Sequence, residues 1–60
     1  METARQKVER LVREAIDTGD YNYIREAMDV AYNSNGEVFM AEDETFVMVD
    51  DDVYYFNGAF

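Results

Sequence analysis

The sequence predicts an α+β fold, with two N-terminal helices packed on a three-stranded antiparallel meander. Three observations predict it. Residues 3–18 and 21–32 carry apolar side chains at helical spacing. From Glu37 onward the pattern changes to short runs rich in β-branched and aromatic residues. Those runs are separated by clusters of acids, which suit turns and disfavour strands.

The first helix is expected over about residues 3–18. Thr3 and Gln6 fit a capping box, in which each side chain satisfies the other residue's backbone N–H. Ala4, Val8, Leu11, Val12, Ala15 and Ile16 then form one apolar stripe. Arg5, Glu9, Arg13 and Asp17 follow at four-residue intervals with alternating sign, which predicts a self-paired solvent face. Gly19 suits a left-handed C-cap.

Asp20 is a natural N-cap for the second helix, expected over about 21–32. Ile24, Ala27, Met28 and Ala31 supply its apolar stripe, with Tyr21 or Tyr32 at the edge. Asn33, Ser34, Asn35 and Gly36 end it. Asn-Gly is also a strong hairpin signal, so residues 30–33 read either as the end of this helix or as a strand paired with residues 37–40. Strands follow at about 37–41, 45–49 and 53–57. Glu42, Asp43 and Glu44 form the first turn between them, and Asp50, Asp51 and Asp52 the second.

Sixty residues make one domain near the lower end of what folds alone. Neither cysteine nor histidine is present, so disulfides and the usual zinc ligand sets are excluded. A hydrophobic fraction of 48% is too high for a disordered chain, yet no apolar run exceeds four residues, so no membrane span is expected. The first residues lack the charged and apolar regions of a signal peptide, and a cytoplasmic location is expected.

The charge is the most informative feature. The net charge is −9, and its distribution is uneven. Residues 1–18 hold four bases and four acids, whereas residues 19–60 hold Arg25 against ten acids. From Glu37 onward there are seven acids and no base: Glu37, Glu42, Asp43, Glu44, Asp50, Asp51 and Asp52. A surface charged only for solubility intersperses both signs. Such a chain repels nucleic acids and anionic membranes, so the expected partner is a basic protein surface. Successive turns of a meander lie at opposite ends of the sheet. A five-residue strand sets the two acidic clusters about 17 Å apart at roughly 3.3 Å per residue. That separation matches about five base pairs of duplex at ~3.4 Å per nucleotide.

The sheet has more apolar positions than one buried face needs. Two helices cover only one face of three strands, so some of Phe39, Tyr54, Tyr55 and Phe56 are expected on an apolar face available to a partner or a second copy. Catalysis is not expected: the chain lacks the ordinary base–nucleophile pairs, a glycine-rich phosphate loop and room for a substrate cleft. Residues 31–42 resemble a degenerate EF-hand loop, but Ala31 stands where the first carboxylate belongs, so neither a metal nor a cofactor is expected.

In size, acidity and lack of catalytic chemistry, the chain resembles the small inhibitors made by bacteriophages, the anti-CRISPR proteins and phage DNA mimics. The resemblance is one of class, covers the chain as a whole and rests on no residue motif, so it assigns no residue a role. It implies a binding protein that occupies a basic nucleic-acid site on a host defence complex. Two other readings stand beside it: an antitoxin-like interaction or dimerisation module, and an ordinary domain of a salt-loving organism.

Overall fold

The computed structural model describes residues 1–56. Helix α1 (Ala4–Thr18) and helix α2 (Asn22–Tyr32) precede strands β1 (Met40–Glu42), β2 (Phe46–Val49) and β3 (Asp52–Tyr55). The strands form one antiparallel sheet in the order β1-β2-β3, so the fold is α+β.

The helix boundaries follow from local chemistry. At the start of α1 the Gln6 N–H donates to Thr3 Oγ1 at 3.1 Å, and the Thr3 N–H donates to Gln6 Oε1 at 2.9 Å, which completes the capping box. Gly19 ends the helix with φ +72°, a conformation that costs glycine nothing, and its N–H donates to Ala15 O at 2.8 Å. The start of α2 is displaced by one residue. Tyr21 is the N-cap and is already helical, while the Asp20 carboxylate caps from outside by accepting the Asn22 N–H at 2.9 Å. The helix reading of residues 30–32 holds, because α2 continues through Tyr32.

The Asn-Gly pair does adopt a hairpin-type backbone. Asn35 has φ +57° and Gly36 φ +83°, two consecutive left-handed residues. They turn the chain from α2 into β1 and join no pair of strands. Residues 37–39 lie outside the β1 ladder, contrary to the strand expected over 37–41. A loop pinned by side chains runs there instead: Ser34 Oγ donates to Ala31 O at 2.6 Å and accepts the Val38 N–H at 3.3 Å. The third strand ends at Tyr55, and Asn57, the last residue of the strand expected there, lies outside the described residues.

Val8, Leu11, Val12 and Ala15 from α1 meet Ile24 and Ala27 from α2 and Val38, Met40, Val47 and Val49 from the sheet side, forming the buried core. No buried side-chain polar atom among the described residues lacks a partner. Each helix buries the centre of the stripe that its sequence marked out, with Ala4 and Ile16 of α1 half-buried at its ends. Met28 and Ala31 sit half-buried at the margin, and Tyr32 is exposed. No helix among the described residues is long and apolar enough to cross a membrane.

Candidate functional site

Strand alternation assigns the sheet's two faces. In β2, Val47 and Val49 are fully buried, while Phe46 and Met48 point the other way. The register pairs Ala41 with Met48, Met48 with Val53, and Phe46 with Tyr55, so these residues share the face opposite the helices. Phe39 extends it. On this open face Phe39 is 61% exposed, Val53 43% and Tyr55 69%. The Phe46 and Tyr55 rings lie 6.2 Å apart, tilted at 50°. Of Phe39, Tyr54, Tyr55 and Phe56, some of which are expected on an apolar face, Phe39 and Tyr55 are there. Tyr54 and Phe56 take the opposite phase of the strand and pack against the core.

The two acidic turns sit at opposite ends of this face, and they are built differently from each other. Val49 pairs with Asp52, leaving Asp50 and Asp51 as a two-residue loop. Asp52 thus belongs to a strand and not to the turn. Asp50 has φ +51°, the sign required at the first position of a II′-type loop. Its backbone N–H donates to Phe39 O at 2.8 Å, and its Oδ1 accepts the Phe39 N–H at 3.0 Å. One aspartate thereby replaces a rung of the ladder beyond the end of β1.

Arg5, in the first turn of α1, reaches the same hairpin. Its guanidinium donates to Glu9 Oε1 at 2.7 Å, to Asp50 Oδ2 at 3.0 Å and to Asp52 Oδ2 at 2.7 Å. The fork-shaped donor array of arginine suits three carboxylates at once. The Glu9 bond foremost, and then the two aspartate charges, hold the Arg5 pKa above its ordinary value. The expected alternation along α1 therefore stops after one pair. Arg13 makes no salt bridge among the described residues, while Arg10 donates to Glu2 at 2.9 Å and lowers the Glu2 carboxyl below its usual range.

At the other end, Glu42 closes β1 and accepts the Tyr21 hydroxyl on both carboxylate oxygens, at 2.6 Å to Oε2. That hydrogen bond is the main reason the phenol's pKa lies above its ordinary value. Asp43 shapes its own turn: its N–H donates to Phe46 O at 2.8 Å and its carboxylate accepts the Glu44 N–H at 2.6 Å.

Of the seven acids singled out in the sequence, four are thus committed to the fold: Glu42, Asp43, Asp50 and Asp52. The side chains of Glu37, Glu44 and Asp51 make no hydrogen bond or salt bridge among the described residues, and all three are exposed. Glu44 and Asp51 stand in the turns at the two ends of the sheet, whereas Glu37 lies beside Ala4, Glu26, Asp29 and Asn33 on the helix side. Arg5 and Tyr21 were not legible as partners of the acids, because the pairs are formed 45 and 21 residues apart in the chain. Among the described residues no group of three or more acids is arranged to hold a metal ion. The chain matches no protein-family model, and no curated protein or solved structure resembles it at a significant level.

Proposed function

We propose that this chain is a binding protein of the small acidic bacteriophage-inhibitor type, which occupies a basic nucleic-acid-binding surface of a host defence complex and keeps nucleic acid out. One observation carries the reading: an apolar sheet face flanked at its two ends by Glu44 and Asp51, unpaired among the described residues, with no base from Glu37 onward. Between Thr45 and Asp50 the chain advances about 17 Å at roughly 3.3 Å per residue. The two acidic ends therefore stand a few phosphate spacings apart. Apolar contacts at the centre supply affinity, while the acidic ends steer the encounter and select a basic partner.

The same charge disfavours a dimer on this face. Two copies stacked with strands parallel or antiparallel place acids against acids at both ends, whereas a basic groove meets them with complementary charge.

The test is competition with a short duplex for a basic nucleic-acid-binding partner. Reversing Glu37, Glu44 and Asp51 together to lysine is expected to abolish competition with the fold intact by circular dichroism. Reversing Glu14, Asp17 and Glu26, an equal change of charge on the helices, is expected to leave most of it. Competition by the parent should also weaken steeply as salt rises. Equal competition by both triple variants, or equal loss in both, rules out a localised site.

A further inference from the structure

Beside the open face, a groove of about 360 Å³ runs between the C-terminal half of α2 and the start of β1. Met28, Ala31 and Val38 line it with apolar surface, and the exposed rings of Tyr32 and Phe39 flank it. Asp29 is its one charged lining residue.

At Met40 this groove meets the edge strand β1. Among the described residues β1 pairs with β2 alone, and the bonds at its two ends show which backbone groups are used. Asp50 N–H donates to Phe39 O, and Asp43 N–H donates to Phe46 O. Antiparallel alternation then turns the N–H and C=O groups of Phe39, Ala41 and Asp43 toward β2. Those of Met40 and Glu42 point outward, away from the sheet. The preceding Val38 N–H is already taken by Ser34 Oγ at 3.3 Å. The groove offers an apolar trough and two aromatic flanks, and the adjoining β1 edge adds the outward backbone groups of Met40 and Glu42.

We infer that this groove binds an extended basic peptide, which adds as a fourth strand to the β1 edge. Main-chain bonds to Met40 and Glu42 hold the peptide, as in other cases of strand addition. Alternate apolar side chains enter between Tyr32 and Phe39, and a lysine or arginine faces Asp29. Charge selects this occupant. Glu37 precedes the edge, Glu42 ends it, and no lining residue is basic. A second copy adding its own β1 antiparallel would bring its Glu42, Asp43 and Glu44 toward Asp29 and Glu37, acid against acid. Phe39 borders both surfaces and Glu37 lies near the edge, so the inference is tested at Asp29 and Tyr32, which the duplex competition does not use.

The probe is a six-residue peptide alternating lysine with valine or isoleucine, titrated into isotopically labelled protein. Amide resonances of Met40 and Glu42 are expected to shift, and their hydrogen exchange to slow on saturation. A peptide with glutamate in place of lysine is expected not to bind, and neither is a peptide N-methylated on the backbone positions that face the edge. Asp29→Lys should weaken binding about tenfold. Tyr32→Ala, at a position 88% exposed and therefore safe for the fold, should weaken it as well. Shifts centred on Val53 and Tyr55 of the opposite edge, binding unaffected by N-methylation, or no shift at millimolar peptide would each overturn the inference. None of these outcomes bears on the duplex competition, which uses a different ligand and different variants.

Discussion

At Asp50 three demands meet in one residue. Its backbone is left-handed, one carboxylate oxygen accepts the Phe39 N–H, and the other accepts Arg5. Aspartate tolerates this backbone better than most residues because it is short and polar. Lysine at this position would have neither the acceptor nor the tolerance and would place its charge beside Arg5. Asp50→Lys is expected to lower unfolding stability by about 1–3 kcal/mol, through an unpaired backbone donor and added strain. Asp51→Lys, one residue on, should change it by no more than about 0.5 kcal/mol. Urea denaturation of the two variants checks the contrast. The sequence marked all three aspartates as one solvated turn, and in that respect it misled. Aspartate's preference for turns is local and visible, whereas the Arg5 contact and the missing ladder rung depend on tertiary placement.

The element scale is governed by how α2 is seated. Ile24 and Ala27 bury its inner face, and Tyr21 ties its first turn to the end of β1 through Glu42. The Tyr21 hydroxyl donates only while protonated. Its pKa in the fold lies above the ordinary 10.0, so the tie contributes fully below that value and is lost as pH rises through the higher one. Subtracting the phenolate absorbance titration of Tyr21→Phe from that of the parent is expected to leave one ionisation centred above the ordinary 10.0. A difference centred at or below that value would mean that the bond to Glu42 does not hold the proton. Both helices were legible to within a residue or so, because caps and apolar spacing agree with each other. The strands were legible in number and order but not in extent. Val38 and Phe39 have strand-like side chains, but the Asn35–Gly36 turn and the Ser34 bonds hold them in a loop.

For the whole molecule, uneven charge is the dominant fact. A net charge of −9 on sixty residues opposes folding through self-repulsion, and among the described residues ion pairs relieve it near Arg5 and Arg10 alone. Added salt screens that repulsion, so moderate salt should raise the melting temperature followed by circular dichroism. The chain is expected to be folded already at low salt, because its core and caps do not depend on screening. A chain that folds only at molar salt would instead match the composition of a salt-adapted protein. The open face was legible from a count of apolar positions against coverable area. Which aromatics occupy it required the strand phase, which Tyr54 and Phe56 show cannot be read from residue type alone.

Arg5 also has a consequence for the order of events in time. It joins the first turn of the first helix to the last hairpin, across 45 and 47 residues of chain. The hairpin and the helices form from neighbours in sequence, whereas this bond waits until both ends of the fold have met. It is therefore expected to be absent from the folding transition state and to act as a latch on the finished structure. Replacing Arg5 with methionine is expected to speed unfolding and leave the refolding rate nearly unchanged, as stopped-flow measurement of both arms would show. Slower refolding in that variant would mean that the two ends of the chain meet early. With refolding unchanged, the lifetime of the native protein, more than its rate of formation, rests on a single guanidinium shared by three carboxylates.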